Sequence, residues 1–266
     1  MKRISLTALM LITGILLSSC STESVESASG IPGVSGAAAV DSAVEETTAT
    51  TTAKPVAEYE ITQQMFLVKP SAWDEDDTEY VGIVEIQNTG STYIYLDSCT
   101  FEFEDDEGKF ITKEDFWVCP MPTVIAPGEY GYFFNCDEIE DDIPLDNGFN
   151  MVPKINVKVC GSAEKAVVDY EVSELDIRDG DNYVTITGRI TNDTEDKLYA
   201  DDKVYVYAIL YDSDGNIIGM GFDLIYEMEA GDSVGFEIDS FYENANLTVD
   251  DVADYKVYAR KDYKMY

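Results

Sequence analysis

The chain has 266 residues, of which 53 are acidic and 17 basic, with no histidine and a formal net charge of −36. Such a surface repels phosphate backbones, which argues against nucleic-acid binding through Lys and Arg. The missing imidazole removes Ser-His-Asp and Cys-His nucleophile systems, histidine metal sites and the commonest general base. The N-terminal stretch MKRISLTALMLITGILLSSC places Lys2 and Arg3 before an uncharged, mostly apolar run from Ile4 to Leu17, then small residues. This layout reads as a signal peptide over residues 1–19, too short and too quickly followed by polar chain to span a bilayer.

The run Leu17-Ser18-Ser19-Cys20 resembles the lipobox of bacterial lipoproteins. The resemblance implies lipidation of Cys20, which becomes the new N-terminus, and an extracytoplasmic protein held on the cell membrane. Two acyl chains at about 0.8 kcal/mol per buried methylene suffice for stable anchoring. Residues 20–56 are rich in Ser, Thr, Ala and Gly and contain no aromatic residue. That composition cannot bury enough apolar surface to order itself, and the segment is expected to be a disordered tether spanning roughly 30 Å.

From residue 57 the dominant signal is short alternating runs of Val, Ile, Tyr and Phe broken by Gly, Asp, Asn and Pro. Strands are predicted over 59–68, 80–87, 93–104, 109–112, 115–119, 130–135 and 154–160, then over 168–177, 182–191, 203–212, 216–225, 233–239 and 254–260. The expected fold is all-β, two tandem immunoglobulin-like β-sandwiches over 57–161 and 166–266. An internal repeat supports the division. VEIQN (84–88), FEFEDDEGKFI (101–111) and APGEYGYFF (126–134) recur in order as GRITN (188–192), AILYDSDGNII (208–218) and EAGDSVGFEI (229–238).

The segment AILYDSDGNIIG (208–219) resembles the stretch that names the FxLYD-type domains, small all-β modules of extracytoplasmic bacterial lipoproteins. Leu210, Tyr211 and Asp212 match the last three named positions, whereas Ala208 stands where that family has Phe. The resemblance covers about 165–260 directly and the first half only through the repeat. It implies an immunoglobulin-like sandwich and carries no activity with it.

Asp212-Ser213-Asp214-Gly215-Asn216 also has the look of a calcium loop. With Gly215 at position 6 of an EF-hand, however, position 1 is Leu210 and position 12 is Gly221, neither of them a ligand. The run is therefore read as a β-hairpin turn, and the first-copy turn at Asp105 to Gly108 likewise. Weak calcium candidates remain in the acidic loop Trp73-Asp74-Glu75-Asp76-Asp77, through Asp74, Asp76 and Asp77; a solvated loop is the alternative. No other cofactor is implied.

One face of the strand at 203–212 carries Tyr205, Tyr207, Ile209 and Tyr211. Exposed, it is an aromatic platform for sugar rings or a protein partner, and Trp73 and Trp117 could share that role. Covered, it is core, which is favoured because both faces of the strand are apolar. With Cys20 lipidated, Cys99, Cys119, Cys136 and Cys160 remain as an even set in an exported chain. Three pairings are open; proximity along the chain favours Cys99 with Cys119 and Cys136 with Cys160, and in an anaerobic habitat all four would be thiols. The function expected is a non-enzymatic interaction or envelope-associated binding module. A glycan-binding surface protein is the alternative, and a carboxylate-based hydrolase a more distant one.

Overall fold

The computed structural model describes residues 55–70, 78–105, 107–109, 116–139, 149–161, 167–180, 184–199, 202–239 and 247–261. Cys20, the tether to Lys54, Trp73 and the acidic run Asp74 to Asp77 lie outside the described residues, as do residues 110–112 of the strand predicted at 109–112 and residues 162–165 between the two predicted domains.

The described chain is antiparallel β throughout, apart from one 3-10 turn at Val249–Asp251. The strands are β1 (Tyr59–Pro70), β2 (Thr78–Asn88), β3 (Ile94–Asp105), β4 (Phe116–Trp117), β5 (Cys119–Met121), β6 (Val124–Ile125), β7 (Tyr130–Ile139) and β8 (Phe149–Val159). They are followed by β9 (Glu171–Asp179), β10 (Val184–Thr191), β11 (Val204–Tyr211), β12 (Ile217–Ile225), β13 (Ser233–Ile238) and β14 (Asp254–Lys261). The main departure from expectation is the predicted strand at 115–119. It divides at buried Val118, where the chain crosses from β4, paired to β3, to β5, paired to β7. Among the described residues no helix is long and apolar enough to cross a membrane.

Four sheets form. In sheet 1, β8 runs along one edge of β3 while β4 and β6 share the other. Sheet 2 has the order β1-β2-β7-β5, sheet 3 β12-β11-β14 and sheet 4 β13-β10-β9. Three apolar layers separate them, all within one compact unit. The layer between sheets 1 and 2 holds Tyr80, Val84, Ile86, Leu96, Phe101, Phe103 and Phe133. Between sheets 3 and 4 lie Val184, Ile186, Ile190, Val206, Leu210 and Phe236. The third joins sheet 2 to sheet 3 through Val81, Ile83, Tyr132 and Phe134 against Tyr207, Ile209, Tyr211 and Met220.

This layering follows from the strand patterns. β3 alternates Ile94, Leu96, Phe101 and Phe103 inward with half-buried polar residues outward, which suits a sheet with one wet face. β2 and β11 are apolar on both faces, and each lies in a central position with an apolar layer on either side. The outermost faces are polar. Glu102 with Lys154 and Asp97 with Lys158 pair across sheet 1, and Arg178 with Glu237 across sheet 4.

The pairing scheme of the first half recurs in the second. β1-β2-β7 is matched by β9-β10-β13, and β8-β3 by β14-β11. The match extends to single bonds. Asn88 and Asn192, both fully buried, each end a strand and close a turn. Asn88 N–H donates to Glu129 O at 3.0 Å and its carbonyl accepts Gly128 N–H at 2.8 Å; for Asn192 the partners are Asp232 at 2.9 Å and Gly231 at 2.7 Å. Gly128 and Gly231 both have φ of 83°, in the left-handed region that favours glycine. The Asn88 amide donates to the carbonyls of Thr92 at 2.9 Å and Ile125 at 3.1 Å, and that of Asn192 to Asp196 at 2.9 Å and Glu229 at 3.3 Å.

Candidate functional site

Of the aromatic side chains singled out by the sequence, Tyr205, Tyr207 and Tyr211 lie in the seam between sheets 2 and 3. In β11, Tyr207 is 2% and Tyr211 5% exposed, and Tyr205 is half-buried against the same layer. Tyr207 stacks on Tyr258 of β14 at 5.3 Å between ring centroids and approaches Tyr132 of β7 at 6.2 Å. Tyr211 and Tyr132 share a hydroxyl contact at 3.4 Å. The aromatic platform considered for sugar binding is therefore covered by sheet 2, because an apolar face this large is removed from water by the nearest complementary face. Among the described residues, the large exposed aromatics lie elsewhere, at Tyr199, Tyr226 and Tyr130. Trp117 lies in β4 opposite Thr100.

The seam also buries a carboxylate. Glu85 of β2 is 4% exposed; its Oε1 accepts the Thr62 hydroxyl at 2.7 Å and its Oε2 the Tyr211 hydroxyl at 3.3 Å. Lys256 reaches the same phenol at 3.5 Å and lies over the Tyr211 ring at 4.6 Å. Burial pushes the Tyr132, Tyr207 and Tyr211 phenols well above the ordinary tyrosine range. They act as neutral hydrogen-bonding groups.

Two polar clamps flank the layer. On the β1 side, Gln63 donates from Nε2 to Gly215 O at 3.1 Å and accepts Ile217 N–H on Oε1 at 3.0 Å, gripping the β11–β12 hairpin as another strand would. On the β14 side, the buried Arg260 donates to Asp169 through Nε and through Nη2 (3.0 Å to Oδ2). It reaches Glu129 at 3.1 Å and 3.3 Å, and Val124 O at 3.2 Å. Burial alone would lower the Arg260 pKa; the bonds to Asp169 and Glu129 more than reverse this and raise it. For Glu129, burial acts upward, but the Arg260 bond and the Ala126 N–H bring its carboxyl below the usual range.

The Asp212–Asn216 run forms the expected hairpin. Asp212 Oδ1 accepts the N–H groups of Asp214 at 2.9 Å and Asn216 at 2.8 Å, Oδ2 accepts the Asn216 amide at 3.0 Å, and Gly215 has φ of 80°. The Asp105 turn repeats this with Glu107 and Lys109 N–H on Oδ1 at 3.0 Å and 2.9 Å. Among the described residues no cluster of three or more carboxylate or thiol side chains could hold a metal ion.

Cys99, Cys119, Cys136 and Cys160 are free thiols in this structure, the alternative the sequence reading left open beside the disulfide pairings. Cys99 points into the layer between sheets 1 and 2. Cys119 shares the parity of Met121, which faces the seam on the other side of sheet 2. Cys136 packs on the seam, while Cys160 packs beside Val124, Tyr93 and Tyr95. Burial pushes the Cys99 thiol up to about 12, and burial with the nearby Glu79 carboxylate pushes Cys136 up to about 11. Such thiols stay protonated and weakly nucleophilic.

Arg260, Gln63, Glu85 and Glu129 carry the polar contacts of the seam, and neither residue type nor spacing singles them out in the sequence. No family model and no curated protein matches this chain.

Proposed function

We propose that the protein is an extracytoplasmic lipoprotein that displays a pair of FxLYD-type sandwiches, residues 57–161 and 166–266, as a non-enzymatic interaction module on a flexible tether. Leu17-Ser18-Ser19-Cys20 supports the anchor. The observation that carries the non-enzymatic reading is the use of the polar and aromatic side chains of the seam. Tyr207, Tyr211, Glu85 and Arg260 are buried in contacts between sheets. What remains for a partner is the outer polar surface of the stack. The strongly negative charge favours a partner with basic groups.

The anchor is tested by expressing the full chain in a host with lipoprotein-processing enzymes and feeding an alkyne-tagged fatty acid. Wild type is expected to take up the label and partition into detergent, and Cys20→Ala to lose both. An unlabelled wild-type chain would sink the lipoprotein reading. The interaction role is tested by cross-linking the anchored protein in intact cells. Reproducible cross-links to one envelope protein, lost on charge reversal of an exposed acidic patch, are the expected result.

A further inference from the structure

The apolar layer between sheets 2 and 3 holds the two halves together, but apolar contact is non-directional and does not by itself select one register. Two polar groups at opposite edges of the layer do. Gln63 meets the backbone of Gly215 and Ile217 with both ends of its amide on the β1–β12 side. Arg260 spans the β14 side. From sheet 3 it holds Glu129 and Val124 O of the first half and Asp169 of the segment leading into β9. Its grip is on a turn that is itself fixed, since Glu129 also accepts Ala126 N–H at 2.9 Å and its carbonyl accepts Asn88 N–H at 3.0 Å. The Asp169 end is equally tied, with Tyr170 N–H on Ala259 O at 2.9 Å and Lys261 N–H on Val168 O at 3.0 Å. A slide of sheet 3 by one residue would leave a buried guanidinium and the Gln63 amide without these partners.

We propose that Arg260 and Gln63 are register clamps that couple the two sheet pairs into one rigid body which unfolds as a unit. In some proteins a buried polar group specifies one alignment over others; Arg260 is such a group, and the half-buried Gln63 adds its two backbone bonds. The partner of this module then meets both halves at a fixed spacing. The stack ends there, because the outward faces of sheets 1 and 4 carry ion pairs where the seam carries tyrosines.

The test uses the full-length chain in denaturant. Both tryptophans, Trp73 and Trp117, precede residue 162, so fluorescence follows the first half while hydrogen exchange of β10 and β11 follows the second. Wild type is expected to show coincident transitions. The Arg260→Met, Gln63→Leu double variant should open β10 and β11 at lower denaturant than the fluorescence transition, with exchange there at least about tenfold faster than in β2 and β3. As a control, Ile190→Val weakens only the layer between sheets 3 and 4, and should move both transitions together. If the double variant fails to fold, Glu129→Gln with Gln63→Ala is read the same way. Separate transitions in wild type, or coincident ones in the variants, would overturn the proposal.

Discussion

At the residue scale, the most consequential side chains are two asparagines. Asn88 and Asn192 have no exposed surface, and each amide ties together a loop and a distant strand end through two carbonyls. Removing the Asn88 amide strands Ile125 O, whose bond is buried, whereas the other three carbonyls lose part-buried bonds. Asn88→Ala and Asn192→Ala are each expected to cost about 1 to 3 kcal/mol, the range for polar groups left without a partner, read from urea unfolding. The sequence pattern showed a strand ending in Asn in both copies, yet it did not disclose the reason. Which carbonyls the amide meets depends on Ile125 and Glu229, each 37 residues further on, and local periodicity carries no information over that distance.

At the element scale, the β11–β12 hairpin shows how a turn can resemble a metal loop and be closed without one. Asp212 has both carboxylate oxygens engaged by Asn216, with Asp214 N–H as a further donor, and these bonds lower its pKa. The Asp212 turn is therefore expected to contribute no calcium response to the melting temperature; a saturable rise with calcium that Asp212→Asn abolishes would return the loop to the metal reading. Gly215→Ala should destabilise by about 1 kcal/mol, the cost of holding an L-residue in the left-handed region. Nothing lies within 4 Å of the added methyl group, so no clash adds to it. Thermal melts of the two forms measure this difference. Most strand positions were legible because alternation is local, whereas β6, the start of β8 at Phe149 and the division at Val118 were not. A run of apolar residues does not mark where a chain changes sheets.

For the whole molecule, the seam makes stability depend on acid. Glu129 is held below the ordinary carboxylate value of 4.5 chiefly by Arg260 and the Ala126 N–H, working against its burial. Its contribution is fully present above that range and fades as the pH falls through the lowered folded value. The carboxylate is 39% exposed, so solvent screening keeps the effect modest. Wild type is expected to lose stability between about pH 5 and pH 3 more steeply than Arg260→Met, whose acid limb lacks this linkage. Parallel curves for the two proteins would show that Glu129 and Arg260 are not linked in solution.

The sequence by itself determined the all-β class, most strand positions, the hairpin turns and the repeat, because each is written in side-chain alternation and in glycines at fixed offsets. It also showed that β11 is apolar on both faces. Only the tertiary structure decided what covers the second face. Tyr207 and Tyr211 could equally have met a sugar, a partner or another sheet, since an aromatic ring is complementary to all three. The choice was made by β2, whose second face carries Val81, Ile83 and Glu85, and by Gln63 and Arg260, whose partners lie 152 and 131 residues away along the chain.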